Sequence, residues 1–300
     1  MTLIFRPYNR PTDFDRVGDF LIRHYLPGNR DHNWIQPMWE YMHSHPFLDV
    51  SALDRIGVWE DAGEIVGVCH YESTLGEVFF DLHPAYPQLK HEMLDHAERQ
   101  LWGTSKTGRR YLQVFVNDSD VEFEAMIEAH GFVRDPEYDR PIYQYTIPDP
   151  FPAISLKDSF RLKSLQDDND LHKIDRVLWR GFNHPGDPPP DEIDDRRKMQ
   201  SVPNFRKDLN IVVVAPDGNF AAYSGTWYES ANRICYVEPV ATDPDYRRLG
   251  LGKAAVLEGI RRCGALGATV AFVGNDLPFY KAIGFTPVYT DHCWVKYQDR

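Results

Sequence analysis

An internal repeat constrains the fold of this 300-residue chain more than any other feature of its sequence. His83-Pro-Ala-Tyr-Pro-Gln-Leu89 aligns with Asp243-Pro-Asp-Tyr-Arg-Arg-Leu249 at the proline, the tyrosine and the leucine. Further along, Ala129-His-Gly-Phe132 aligns with Ala282-Ile-Gly-Phe285. Two similar segments in the same order indicate that one architecture occurs twice, and a chain of this length can bury two separate cores.

The hydrophobic periodicity predicts the same order of elements in both halves: β, α, α, β, β, β, α, β, α, β. Pro148-Asp-Pro-Phe-Pro152, a proline-rich stretch, lies where the first copy would end. We therefore predict an α/β chain, of the α+β type, with domains at residues 1–148 and 158–300 and a linker at 149–157. Each domain should contain a mixed, mostly antiparallel sheet flanked by helices.

Composition and charge narrow the classes of function. The net charge of −12 argues against a nucleic-acid partner. No apolar run approaches the ~18 residues that a membrane span needs, and the first residues read as a strand rather than a signal peptide, so we expect a cytoplasmic protein without a membrane partner. The four cysteines lack Cys-x-x-Cys spacing and the histidines lack metal-ligand spacing. We expect reduced thiols and no metal.

The stretch from Thr242 to Lys253 is the strongest candidate for a binding site. It follows a predicted strand, Ile234–Ala241, and leads into a helix with apolar residues at helical spacing. Gly250 and Gly252 would let the backbone approach a ligand, and the first amides of the new helix have no partner within it. Such a turn binds anions, which points to a ligand that carries phosphate.

Two other phosphate-binding motifs fit this stretch less well. A P-loop would need Ser or Thr after Lys253, where Ala254 stands, and we reject it. A dinucleotide fingerprint matches formally as Gly250-x-Gly252-x-x-Ala255, with Asp276 as the later acidic residue. It would have to follow its strand directly and begin a large doubly wound sheet, whereas here a loop of about six residues precedes it and only about fifty residues follow.

Arg247-x-x-Gly250-x-Gly252 after a strand resembles the acetyl-CoA pyrophosphate loop of the GNAT (GCN5-related N-acetyltransferase) superfamily. Phe279-Tyr-Lys-Ala-Ile-Gly-Phe285 resembles the second signature of that family, an aromatic pair on a short helix that ends in Gly-Phe. Both motifs stand in the family's order, and the halves repeat its elements. The chain is therefore similar to a tandem GNAT protein.

The resemblance implies acetyl transfer from acetyl-CoA to a primary amine, on a small molecule or a peptide, by direct transfer in the C-terminal domain. The alternative is a protein that binds an acyl-CoA as a sensor without turnover. The oligomeric state is left open. The resemblance implies that the following residues of the C-terminal half bind the cofactor: Val240, Ala241, Thr242, Arg247, Arg248, Leu249, Gly250, Leu251, Gly252, Lys253, Asn275 and Phe279.

Two residues are candidates for acid–base chemistry. Tyr280 occupies the family's position for the acid that protonates the leaving thiolate, and the alternative is a tyrosine that only packs in the core. Glu238 would share a strand face with Tyr236 and Val240 near the thioester, as a base acting directly or through water. A surface carboxylate or an ion pair explains Glu238 equally well. Asn275 could bond the cofactor or cap a helix.

Acidic residues in the second copy suggest a cationic acceptor: Asp187, Asp191, Glu192, Asp194 and Asp195. A helix N-terminus favours acids without any ligand, and we prefer that explanation. In the first copy Lys90 and Glu92 stand where the second has Gly250 and Gly252. A carboxylate and a bulky side chain there oppose pyrophosphate, so we expect no cofactor in the N-terminal domain.

Overall fold

The helices and strands are those of a computed structural model, which describes residues 3–189 and 193–298. In chain order they are β1 (Leu3–Pro7), α1 (Arg10–His24), α2 (Gln36–Ser44), β2 (Gly57–Asp61), β3 (Glu64–His70), β4 (Glu77–Leu82), α3 (Leu89–Gln100), β5 (Gly103–Thr104), β6 (Arg110–Asn117), α4 (Val121–Ala129), β7 (Val133–Arg134), β8 (Arg140–Thr146), β9 (Arg161–Ser164), α5 (Leu171–Gly181), α6 (Ile193–Met199), β10 (Ile211–Val214), β11 (Phe220–Glu229), β12 (Ile234–Thr242), α7 (Leu251–Ala265), β13 (Val270–Val273), α8 (Pro278–Ile283) and β14 (Thr286–Gln298).

The chain forms two compact units, and neither is continuous in sequence. The first contains residues up to Met42, Phe47–Ile142 and the residues from Val288 onward. The second contains His43–Pro46 and Tyr143–Pro287. This division differs from the boundaries that the sequence suggested, because β14 from Val288 onward lies in the first unit and Tyr143–Thr146 of β8 lie in the second. Strand pairing over such separations leaves no local mark in the sequence.

The first unit is built on a sheet with the order β1-β2-β3-β4-β6-β14, to which β5 and β7 add short pairings. Its strands pair antiparallel except β4 and β6, which run parallel and pair only at Glu77 with Gln113 and at Val78 with Val114. β14 pairs along β6 from Asp291 to Gln298. Phe20 of α1, Trp39 of α2 and Leu94 of α3 are fully buried against this sheet in one apolar core.

The second unit repeats this plan with the order β8-β13-β12-β11-β10-β9, where Tyr143–Thr146 of β8 pairs with β13. β12 and β13 are the parallel pair, and their pairing covers only Ile234–Tyr236 and Val270–Phe272. Helix α7 buries Val256 and Ile260 against the sheet. The prediction of mixed, mostly antiparallel sheets flanked by helices is confirmed.

Equivalent side chains of the two copies make the same contact. The Tyr86 hydroxyl donates to Asp61 at 2.8 Å, and the Tyr246 hydroxyl donates to Asp217 at 2.5 Å. In both units the aspartate lies in the hairpin between the second and third strands. The sequence alignment of Tyr86 with Tyr246 therefore corresponds to one position in a repeated fold.

All four cysteines are buried and free. Within the part of the chain that the structure describes, no helix has both the length and the apolar character needed to cross a bilayer.

Candidate active site

β12 and β13 of the second unit pair only as far as Tyr236 and Phe272. The region between the two strands beyond these residues is called the cleft below. A β-bulge in β12 lies beside this point. Val237 pairs with Thr226 of β11, but Val240, three residues later, pairs with Ser224. Gly225 lies opposite the bulge, and a Cβ there would be 2.3 Å from the Glu238 carbonyl oxygen. Only glycine allows this close approach, so β11 and β12 together set the shape of the cleft.

The bulge contradicts the predicted alternation of side chains along β12. Tyr236 and Val240 were expected on one face, whereas the extra residue places Val240 on the same face as Val237. Both valines contact the apolar cluster under α7. The prediction is wrong because regular alternation was assumed through a bulged segment, which includes a cis peptide bond between Glu238 and Pro239.

Asp243 anchors the loop that follows β12. Its carboxylate is fully buried and accepts from Arg176 Nη1 and Arg180 Nε, each at 2.8 Å. Burial alone would raise the pKa of Asp243. The hydrogen bond from Arg180, the backbone bond from Asp245 and the charges of Arg176 and Arg180 outweigh burial, so the pKa of Asp243 is lowered. Sequence reasoning missed this anchor, although two arginines one helical turn apart on α5 were a visible signal. The ionised aspartate fixes the loop to α5.

Gly250 and Gly252 shape the turn into α7. Gly250 precedes the helix with φ +77°, a left-handed conformation, and the helix has no side-chain cap. A Cβ on Gly252 would be 2.7 Å from Thr242 Oγ1 and 3.4 Å from the Phe279 ring. The amides of the first turn are therefore left for another acceptor, and the backbone around Gly252 has no room for a side chain. This arrangement fits a phosphate group.

The three predicted cations of the loop differ in their surroundings. Arg247 donates to Thr242 O at 3.2 Å, to Gly181 O at 2.9 Å and to Asn183 Oδ1 at 2.8 Å. It therefore braces the loop against the end of α5. Arg248 and Lys253 are exposed, and Lys253 Nζ lies 3.3 Å from Ala282 O. These two side chains can reach an anion from solvent.

Of the other predicted cofactor residues, Ala241 and Leu251 are buried, whereas Val240, Thr242 and Leu249 are half-buried.

Tyr280 lies on α8 with its ring enclosed by aromatic neighbours. It is 7% exposed, and its centroid lies 5.0 Å from that of Phe279 and 5.6 Å from that of Phe285. Burial raises the pKa of Tyr280, and the nearby charge of half-buried Glu238 raises it further. Within the described ranges we find no hydrogen-bond partner for its hydroxyl. The group is protonated at neutral pH and can donate.

The remaining predicted residues are Asn275 and the acidic residues near the start of α6. Asn275 Oδ1 accepts from Leu277 N at 2.9 Å, which supports the turn before α8 as a cap would. Asp187 and Asp194 are exposed, Asp195 is half-buried, and Asp194 pairs with Arg197. Asp191 and Glu192 lie outside the described residues. The bend between α5 and α6 thus contains carboxylates, as a helix start usually does.

Comparisons with known proteins concern the family and the fold. A model of the family described as Acetyltransferase (GNAT) family matches residues 171–285. A solved tandem GNAT protein from the clavulanic acid biosynthesis pathway is similar in fold, with a TM-score of 0.67 and 15% identity over 100% of this chain and 99% of that one. A GCN5-related N-acetyltransferase from Sphaerobacter thermophilus has a TM-score of 0.66 and 15% identity over 98% of this chain and 95% of that one.

A further structural neighbour with a lower TM-score was solved with an acyl-CoA bound. The N-myristoyltransferase of Saccharomyces cerevisiae, solved with bound myristoyl-CoA and inhibitors, has a TM-score of 0.58 at 12% identity over 99% of this chain and 81% of that one. No curated protein sequence matches the chain. At these identities the solved structures establish the fold.

Proposed function

We propose that this chain, a tandem member of the GNAT superfamily, transfers an acetyl group from acetyl-CoA to a primary amine in its second unit. The observation that carries the proposal is the turn at Gly250 and Gly252. There an uncapped helix start and a backbone without room for a Cβ lie beside the cleft between β12 and β13. An anionic, narrow ligand fits both features.

The residues of this unit would hold the cofactor along the cleft. Amides from Leu249 to Lys253 would bind the pyrophosphate, with Arg248 and Lys253 adding positive charge. The backbone of Val240 and Thr242 would bind the pantetheine arm where β12 has no parallel neighbour. Arg247 positions the loop through its bonds to α5 and does not bind phosphate itself in this proposal. The bound cofactor supplies an activated thioester.

Tyr280 and Glu238 would handle the protons. The Tyr280 hydroxyl is protonated at neutral pH and would donate its proton to a leaving thiolate, which needs an acid beside the sulfur. The Glu238 carboxylate lies near enough for its charge to act on Tyr280 and could accept a proton from the amine, directly or through water.

The first unit would not share this chemistry. Lys90 in the first turn of α3 bonds Asp120 at 2.5 Å and lies 5.3 Å from the centroid of Phe123. Glu92 accepts from Trp59 Nε1 at 3.2 Å. The positions aligned with the two glycines thus bear side chains held by neighbours. We propose that only the second unit binds the cofactor.

The test measures coenzyme A release from acetyl-CoA with a panel of primary amines. Tyr280→Phe should lower kcat about 100-fold with acetyl-CoA affinity unchanged, because only proton donation is removed. Tyr228→Phe, which removes a hydroxyl bonded to Leu266 O, should leave kcat unchanged. Binding of acetyl-CoA without turnover of any amine would instead identify a non-catalytic sensor. An active Tyr280→Phe enzyme would overturn the assignment of the acid.

A further inference from the structure

The first unit contains a cavity of about 240 Å³ beside the point where β4 and β6 stop pairing. It is independent of the site in the second unit. Its walls mix aromatic and polar side chains, and the aromatic ones come from the segment before α2, from both strands and from α4: Trp34, Phe79, Phe80, Phe115 and Phe123. Aromatic faces of this kind attract cations as well as apolar groups.

Two buried polar groups line this cavity without a partner. Asp31 is 8% exposed; its Oδ1 accepts from Leu26 N at 2.9 Å, while among the described residues its Oδ2 bonds to nothing. Trp34 is 5% exposed, and its Nε1–H likewise lacks an acceptor within those residues. Buried polar groups are almost always satisfied, so a free acceptor and a free donor at one cavity point to a ligand that bonds both.

Asp291 of β14 adds a second carboxyl to the same wall. Burial raises the pKa of Asp291 to about 7, with Arg140 opposing and Asp118 and Asp81 adding to the shift. Burial likewise raises the pKa of Asp31 to about 6. Asp31 and Asp291 thus bring two carboxyl groups to the lining of one cavity, and a buried carboxylate is stable only with a cationic or hydrogen-bonding partner.

Arg30, His32 and Lys90 line the cavity with basic side chains. Arg30 Nε donates to Pro27 O at 3.1 Å, and His32 Nδ1 lies 3.6 Å from a carboxylate oxygen of Asp120. Lys90 pairs with Asp120, which also lines the wall. The Arg140 guanidinium pairs with Glu72 and Glu77. Asp31 Oδ2 has no hydrogen-bond partner among the described residues, and an N–H group of a cation would donate to it.

We propose that this cavity binds a small organic ammonium ion that also carries an oxygen acceptor. Its N–H groups would donate to Asp31 Oδ2 and Asp291, its oxygen would accept from Trp34 Nε1–H, and its apolar part would lie among the phenylalanines. The proposal does not depend on the reaction assigned to the second unit, because every residue named belongs to the first.

Calorimetry on the full chain at pH 8 tests this with a matched pair of probes. 2-Amino-1-phenylethanol carries the ammonium, the oxygen and a ring, whereas 1-phenylethane-1,2-diol replaces only the ammonium by a hydroxyl. The amine should bind at least about tenfold more tightly than the diol, because only the amine neutralises the buried carboxylates. Equal binding of both probes, or binding of neither, would overturn the proposal.

Two substitutions place the binding in this cavity. Asp31→Asn should weaken the amine at least about tenfold, while Asp95→Asn, at an exposed carboxylate of α3, should not change its affinity. If Asp31→Asn does not fold, Trp34→Phe serves instead and should weaken the amine several-fold by removing the donor. Unchanged affinity in a folded variant, or displacement of the amine by coenzyme A, would refute the assignment.

Discussion

Arg180 Nε donates a 2.8 Å hydrogen bond to the fully buried carboxylate of Asp243, and this bond joins α5 to the loop that carries the anion-binding turn. Arg180 also reaches exposed Asp245 at 2.7 Å. The position of the turn therefore depends on an ion pair that contacts no ligand. The contribution of this ion pair to stability can therefore be measured separately from ligand binding.

Replacing Asp243 by Asn should destabilise the second unit by about 2 kcal/mol, because Arg176 and Arg180 lose the buried charge that they share. Asp245→Asn offers a control, since its exposed pair with Arg180 should contribute less than about 0.5 kcal/mol. Urea unfolding of both variants measures the difference. Equal stabilities would show that Asp243 is not the anchor.

Gly250→Glu should weaken coenzyme A binding about 100-fold, because a carboxylate at the helix start repels the pyrophosphate. Gly218→Glu is a matched control: that glycine also has a positive φ, +85° against +77°, and in both places a Cβ would meet open space. Backbone strain and added charge are thus the same in both variants. Calorimetry with coenzyme A should show a loss only for Gly250→Glu, and retained affinity would refute the site.

The first unit should lose stability between about pH 4 and 8 through Asp291. Its pKa is raised from 3.8 to about 7, so its contribution is fully present below 3.8 and is lost as the pH rises through 7. Between pH 4 and 8 the free energy of unfolding of the first unit should fall by roughly 2–4 kcal/mol in the parent protein, and this fall should be absent in Asp291→Asn. Hydrogen exchange of β6 amides at pH 5 and pH 8, compared with Asp95→Asn, measures it. Parallel pH profiles for the parent and Asp291→Asn would contradict the assignment.

A chain that stops at Pro287 should lose protection in the first unit while keeping it in the second. β14 covers the edge of β6 over Arg110–Asn117, and Cys293 is fully buried in the first core. Hydrogen exchange should show rapid exchange in β6 and unchanged exchange in β11. Adding a peptide of residues 288–298 should restore protection of β6. Protection without the peptide would mean that the strand is dispensable.

Much of the fold could be predicted from the sequence because its signals are local or repeated. Hydrophobic periodicity located most helices and strands, and the aligned Tyr86 and Tyr246 marked the repeat. The turn at Gly250 was predictable because glycine, helix start and following apolar spacing lie within one short stretch. The roles of Tyr280 and Glu238 came from resemblance and stay predictions.

The features that were not predicted depend on distant residues. The bulge at Glu238 and Pro239 requires Gly225 on the neighbouring strand, so inspection of β12 alone suggested regular alternation. The bonds that Arg247 donates to Gly181 O at the end of α5 and to Asn183 Oδ1 join segments more than 60 residues apart, so they could not be read from the loop sequence. A buried atom without a hydrogen-bond partner, such as Asp31 Oδ2, can be recognised only when the positions of all the residues around it are known.

The place of β14 also has a consequence for biosynthesis. A ribosome delivers β6 early but delivers its neighbouring strand only after the whole of the second unit has been made. The second unit can therefore finish folding first, although its residues are translated later. Until Val288 and the residues after it emerge, the nascent first unit exposes an open strand edge, which is the kind of surface that chaperones protect.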